Sequence, residues 1–206
     1  METKINKTTQ PIRSQSDRDA LSSYFWNRNL RDYSLFLFGI YTGRRICDIV
    51  RLNVSDVACI DRKSRFVIRD RLKILEKKTK KFIDLIIHPA VRRSLIKYLR
   101  QRLRTSLSMG ALLNEPLFKS QKKRINGDLR ITQQHAWRTL NRAAKACGLD
   151  YKIGTHSLRK TFGYTLYYNN TSIELIQRLL NHSSPEITLA YIGITQDDMD
   201  EAILGM

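Results

Sequence analysis

Residues 155–193 read THSLRKTFGYTLYYNNTSIELIQRLLNHSSPEITLAYIG, and this stretch sets what the rest of the chain must supply. It gathers His156, Arg159, His182 and Tyr191 at spacings that an ordinary core does not require. His156 and Arg159 lie three apart at the start of a predicted helix, so they share a face near its N-terminal end, where free amides and the helix dipole favour an anion. His182 follows a helix predicted over 173–180. Ser183, Ser184 and Pro185 then make a tight start for another short helix, which carries Tyr191 nine residues beyond His182. Taken singly, each residue has an ordinary reading: a core histidine, a packing tyrosine, a helix-turn-helix around LLNHSSPEI. Their joint occurrence points instead to groups arranged around one phosphate.

The whole chain suits such a partner. Its 206 residues suffice for one sizeable domain, and 37 Lys and Arg against 19 Asp and Glu give a formal charge of +18. Basic side chains that neutralise phosphates release condensed counterions, so a polyanion is the natural partner, DNA or RNA on charge alone. Cys47, Cys59 and Cys147 are odd in number and form no CxxC pair, which argues against a disulfide framework or a zinc site. The longest apolar run, residues 35–41, falls far short of the ~20 residues that span a bilayer. The expectation is a soluble cytoplasmic protein with no membrane partner.

Residues 1–13 are polar and aperiodic around Pro11 and read as a leader or linker remnant, followed by one domain over 14–206. Ser16 with Asp19 predicts a helix start and a helix to about residue 26. Residues 30–41 are apolar nearly all round, as a central core helix should be, and deliver the chain to Thr42, Gly43, Arg44 and Arg45. Gly43 reads as a turn, and Arg45 then opens a short helix with Asp48 three residues on; a surface ion pair is the ordinary reading of that spacing. From residue 65 the period changes to two, and 66–70, 72–76 and 82–87 predict three short antiparallel strands, with Lys77, Lys78 and Lys80 in a basic hairpin tip. Pro89 opens a strongly basic amphipathic helix to about residue 104. Residues 105–131 read as loop, with a basic run that includes Lys122, Lys123 and Arg124. A further amphipathic helix over 132–147 should bury Trp137, Leu140, Ala144 and Cys147 and show Arg138, Arg142 and Lys145 on its polar side.

Four segments now stand together: TGRRICDI at 42–49, KKTKKFIDLII at 77–87, HSLRKTF at 156–162 and LLNHSSPEITLAYI at 179–192. In order and spacing they resemble the catalytic domain of the tyrosine recombinases, the phage integrase family, over about residues 14–203. The resemblance places the catalytic arginines on Arg45 and Arg159, with Asp48 in support of Arg45. It places the hairpin lysine on Lys78, the histidines on His156 and His182, and the nucleophile on Tyr191; Lys77 and Lys80 are rivals for the lysine role. Arg44 stands where an apolar residue is common and Asn181 where glycine is usual.

The chemistry agrees with these roles. A phosphodiester repels an attacking oxygen, and two guanidiniums that clamp its non-bridging oxygens answer that repulsion. The fold class implied is α+β, mainly helical with a small three-stranded antiparallel sheet. The function implied is site-specific recombination or integration of DNA through a covalent 3′-phosphotyrosine, for a mobile element or phage and of bacterial or phage origin, with no metal or nucleotide cofactor. Arg44, Lys77, Lys80, Lys122, Lys123, Arg124, Arg138, Arg142 and Lys145 are candidate DNA contacts. Double-stranded DNA, a homo-tetramer on it and an accessory bending or directionality factor are the expected partners, with a monomer free in solution. Such enzymes carry a further N-terminal helical domain for which this chain has no room, so a catalytic-domain piece or a short natural recombinase is expected. The acidic tail, 195–206, docks in the family on a neighbouring subunit and here has the alternative of folding back. Two readings stay open beside this one: the same chemistry in a strand-relaxing topoisomerase or telomere resolvase, and a basic DNA-binding regulator with a decayed site.

Overall fold

The computed structural model describes residues 9–121 and 127–194, together with positions 198, 200 and 203–205. Its first helix, α1 (Gln15–Arg28), starts from Ser14, whose hydroxyl accepts the Asp17 amide proton at 2.9 Å. The cap is therefore Ser14 and not Ser16. Asn29 ends α1 and caps α2 (Leu30–Thr42), accepting from the amides of Arg31 and Asp32. Leu35, Phe36, Leu37 and Phe38 are all buried, because α2 is the central rod against which α1, α5 (Pro89–Leu103) and α8 (Thr155–Tyr168) pack. It stops at Gly43, whose φ of 62° only a residue without Cβ adopts freely and whose missing side chain leaves room for the Phe162 ring of α8.

Four strands follow, where the period predicts three. They form two separate antiparallel hairpins: β1 (Ala58–Ile60) pairs with β2 (Phe66–Ile68), and β3 (Arg71–Leu75) pairs with β4 (Phe82–Ile86). The expected three-stranded sheet is thus corrected. The chain bends between β2 and β3, where the Arg69 amide bonds the Val57 carbonyl at 2.8 Å and Asp70 accepts from Ile87 at 2.8 Å, so β2 and β3 never meet as neighbours. Strand β1 escapes a periodicity reading because three residues show no alternation. In β3 the alternation is clear, with Leu72 and Ile74 inside, and it continues one step further to place Glu76 inside as well, at 0% exposure.

The helices α3 (Ile46–Ile49), α4 (Val54–Val57) and α6 (Met109–Leu113) are short, and α6 lies in the stretch expected to be loop. Helix α7 (Gln133–Ala146) buries Ala136, Leu140, Ala143 and Ala144 but leaves Trp137 46% exposed, against expectation. Trp137 lies at the edge of the buried stripe, where its ring packs over Gly154 and keeps its other side in solvent. Helices α9 (Ile173–Leu180) and α10 (Pro185–Ile192) close on α8 through a small cluster of Tyr164, Ile176, Leu180 and Ile192.

Residues 10–13, expected as part of a leader, are built into this body. The Gln10 amide bonds the Lys152 carbonyl, Ile12 is fully buried with its amide on Thr161 Oγ1 at 2.8 Å, and Arg13 donates to the Gly193 carbonyl at 2.5 Å. Arg13 also pairs with Asp198 of the expected tail at 3.5 Å and lies 5.3 Å from the Tyr164 ring centre. Among the described residues no helix is long and apolar enough to cross a membrane.

Gly163 lets α8 meet α9 and α10 closely: a Cβ there would sit 2.6 Å from Ile192 Cγ2 and 3.0 Å from Leu180 Cδ1. Replacing it by alanine gains about 0.5–1 kcal/mol of helix preference and loses about 1–3 kcal/mol to overpacking. Urea denaturation is expected to show Gly163→Ala as the less stable protein; an equal or higher midpoint would mean that the cluster yields easily.

Candidate active site

The site is assembled from four loci that the fold brings to the C-terminal end of α2. Gly43 turns the chain so that Arg44 and Arg45 leave in opposite senses. Arg44 goes inward, with 1% exposure, and is not a DNA contact. Its Nε donates to the Thr42 carbonyl at 3.0 Å, one Nη to Glu76 Oε1 at 3.0 Å and the other to the Leu179 carbonyl. Burial above all, together with the charge of Arg159, lowers its pKa to about 10. Arg45 keeps 18% side-chain exposure and lies 3.0 Å from Glu76 Oε2 as an ion pair, yet that Nη1 has no aligned hydrogen-bond partner among the described residues. Asp48 does not pair with Arg45; its Oδ1 takes the Lys77 amide at 3.0 Å and so pins the root of the hairpin.

Glu76 is the residue that sequence reasoning missed. Its fully buried carboxylate faces Arg44 and Arg45, has Arg159 Nη1 at 4.0 Å from Oε1, and accepts from Thr79 Oγ1 at 2.7 Å and Asn181 Nδ2 at 3.2 Å. Burial alone would raise its pKa, but the bonds from Thr79 and Asn181 and the charges of Arg45 and Arg44 prevail and hold it below the usual value. The alternation of β3 was the available signal, since it puts a carboxylate on the inner face. Asn181 takes a left-handed backbone conformation, φ 53°, at the end of α9, which explains how it fills a place usual for glycine.

Helix α8 presents His156 on the outer side and Arg159 on the inner. Arg159, 2% exposed, donates to the Gly43 carbonyl at 2.7 Å and to the Leu180 carbonyl, and its Cζ lies 6.0 Å from the Tyr191 ring centre. Lys160, its unremarked neighbour, reaches 5.4 Å from the same ring; nothing periodic marks it in the sequence. The His182 ring meets Tyr191 edge-on at 4.8 Å, and its Nδ1 is 3.2 Å from Thr188 Oγ1. The structure thus brings Arg45, Arg159, His182 and Tyr191 together.

Protonation follows from burial and charge. Burial, then Arg159 and Arg45, lowers His182 to about 4. His156, though it keeps a solvent-exposed side, is lowered by partial desolvation and then by the charges of Arg159, Lys160, Arg45 and Lys78. Tyr191 is raised, because burial outweighs the opposing pull of Arg159 and Arg45. The guanidiniums alone do not make its phenolate available.

The other expected contacts divide. Arg138, Arg142 and Lys145 are exposed along one face of α7, a helix that touches α3 and α8. Lys77, Lys78 and Lys80 are exposed on the hairpin, and Lys77 lines a recess with Cys47, Arg51 and Asp128. Lys78 is the hairpin lysine whose charge bears on His156, while Lys81 bonds Asn181 Oδ1 at 2.8 Å. Lys122, Lys123 and Arg124 lie outside the described residues, as does most of 195–206.

Comparison with known proteins accords with this geometry. The model of the phage integrase family matches residues 16–197. The chain is 42% identical over 188 residues to a probable integrase/recombinase, YoeC, of Bacillus subtilis (strain 168), which covers 91% of each chain. It superposes on XerA recombinase with a TM-score of 0.71 at 23% identity, covering 96% of this chain and 66% of that one. It also superposes on XerH site-specific recombinase bound to palindromic difH substrate, with a TM-score of 0.67 at 21% identity, covering 96% of this chain and 53% of that one. This chain therefore spans about two thirds and about half of those two proteins. Since the family match runs from α1 to beyond Tyr191 and takes in every arginine, histidine and tyrosine of the site, the chain belongs to the phage integrase family and is a tyrosine recombinase, an enzyme that cleaves and rejoins DNA strands.

Proposed function

We propose that the chain recombines double-stranded DNA at specific sites through a 3′-phosphotyrosine, using Arg45, Lys78, His156, Arg159, His182 and Tyr191, in the service of a mobile element or phage. One observation carries the reading: Arg45 is anchored through its buried Nη1 beside the Glu76 carboxylate, its side chain keeps 18% exposure, and no aligned hydrogen bond engages its guanidinium among the described residues, close to where Arg159, His182 and Tyr191 converge. A guanidinium so placed is built to receive an anion from outside. That XerH was solved bound to a palindromic difH substrate supports DNA as that anion's source.

In the proposed sequence Arg45 and Arg159 hold the non-bridging oxygens of the scissile phosphate, and His182, neutral near pH 7, adds a hydrogen bond. Neutral His156 takes the phenol proton, and Tyr191 Oη bonds to phosphorus as the bond to the 5′ oxygen breaks. Lys78 protonates that leaving oxygen. The phosphotyrosine keeps the energy of the broken bond, so a 5′ hydroxyl of the exchanging strand displaces Tyr191 and reseals the backbone without ATP. Strand exchange in this reading takes place between copies of the chain in a tetramer on DNA, with an accessory bending or directionality factor where the site demands one. The exposed row Arg138, Arg142 and Lys145 tracks phosphates beside the site.

Incubation with a nicked suicide duplex should trap a covalent adduct that Tyr191→Phe abolishes; an adduct that persists in the variant would sink the reading. Loss of Arg45 to alanine should cost about 10²–10³ in cleavage rate. Lys78→Ala should slow cleavage by about 10²–10⁴, and a 5′-bridging phosphorothiolate, whose leaving group needs no proton, should restore it. Absence of that rescue, or an equal loss in Lys77→Ala, would remove Lys78 from the acid role.

All four histidines are lowered in the fold, burial being the first cause for each. Below pH 6.5, the ordinary histidine value, the unfolded chain takes up protons that the folded one refuses. Stability should therefore fall as pH drops from 6.5 towards 4, the value to which His182 is lowered. Thermal melts across that range check the slope, and an NMR titration should place the His182 midpoint near 4; a midpoint at 6.5 would show a ring open to solvent.

A further inference from the structure

We infer that Glu76 is a positioning residue for strand cleavage: its buried, saturated carboxylate holds Arg45 and Arg159 in place before DNA arrives, without consuming the donors of Arg45. The inference rests on the proposed phosphate-clamp role of those two arginines. Without DNA, three guanidiniums meet at one spot where water is excluded, and their mutual repulsion would splay them. Glu76 is the carboxylate that all three face, at 3.0 Å from Arg44, 3.0 Å from Arg45 and 4.0 Å from Arg159.

What distinguishes this carboxylate is how its lone pairs are allotted. Oε1 takes a directed bond from Arg44 at 3.0 Å. Oε2 takes directed bonds from Thr79 at 2.7 Å and Asn181 at 3.2 Å, and a carboxylate oxygen offers about two good acceptor sites. Arg45 Nη1 therefore approaches an oxygen already filled. It feels the charge at 3.0 Å yet finds no aligned acceptor among the described residues, although the atom is buried. Nη1 stays buried against Glu76 as the anchor, so a phosphate that arrives meets the remaining donors of a guanidinium already held in place. Had Glu76 faced Arg45 alone, the pair would have closed on itself and DNA would compete with an internal anion.

Arg44 is the counterpart that makes this tolerable. It spends its donors on Thr42, Leu179 and Glu76, all inside the protein, so it neutralises Glu76 without offering anything to DNA. Glu76 also sits two residues before Lys78 and is bonded by Thr79, so the same carboxylate fixes the hairpin root from which the proposed acid projects.

The test separates neutralising Arg44 from positioning Arg45. Single-turnover cleavage of the nicked duplex, at saturating protein and at a temperature where circular dichroism shows each variant folded, should fall at least tenfold in Glu76→Gln, while affinity for the duplex stays equal or tightens. Removing both charges of the buried pair in Arg44→Met/Glu76→Gln should bring the melting temperature back towards that of the unaltered protein, because Arg44 is then no longer left behind as an uncompensated buried charge. Cleavage should stay slow in that double variant. If cleavage recovers along with stability, Glu76 serves only to neutralise Arg44 and the inference is overturned; full-rate cleavage by Glu76→Gln overturns it too. Tyr191→Phe runs alongside: an adduct that survives in it condemns the catalytic reading, whereas its loss there with full activity in Glu76→Gln condemns only the role given to Glu76.

Discussion

The arrangement turns on the fork of Arg159. By donating to the carbonyl oxygens of Gly43 and Leu180, it fastens the end of α2 and the end of α9 to the N-terminal part of α8. Both carbonyls belong to helix ends, where backbone oxygens lack intrahelical partners and the dipole is negative, so a buried cation is the right group to answer them. Those two bonds offset part of the cost of taking a guanidinium out of water, a cost seen in its lowered pKa, for which burial is the first cause. Arg45 and His182 each follow one of these junctions by two residues, and the Tyr191 ring lies 6.0 Å from the guanidinium, which makes Arg159 a structural keystone.

Around that keystone the local rules apply in their ordinary form. Gly43 is open at Cβ so that Phe162 can fill the gap. Asn181 accepts a left-handed conformation and turns its side chain to use, one end on Glu76 and the other on Lys81. The apolar residues of α2 bury most of that helix, with Leu35, Phe36, Leu37 and Phe38 all inside and Tyr41 at the surface.

Much of this was legible in the sequence because the relevant signals are local. The HxxR spacing, the Ser-Pro start of α10, and the glycine after α2 each follow from a few adjacent residues. What escaped depends on packing partners far along the chain. Arg44 and Arg45 are equivalent as letters, and only the inward path from Gly43, which meets Glu76 some thirty residues later, sends one in and leaves the other at the rim. Trp137 was expected inside because aromatic bulk usually is, yet the alanines of α7 already fill the contact. Strand β1 and helix α6 are too short to show a period, and β2 looks like a partner for β3 until the bend at Arg69 is known.

The bonds made by Arg13 have a mechanical meaning. Through the Gly193 carbonyl this side chain grasps the backbone two residues beyond Tyr191, while Ile12 next to it is bonded to Thr161, two residues beyond Arg159. Residues 12 and 13 are thus stitched to the two helices that bear Tyr191 and Arg159. Any displacement of residues 12 and 13 is therefore shared between Thr161 on α8 and Gly193 at the end of α10.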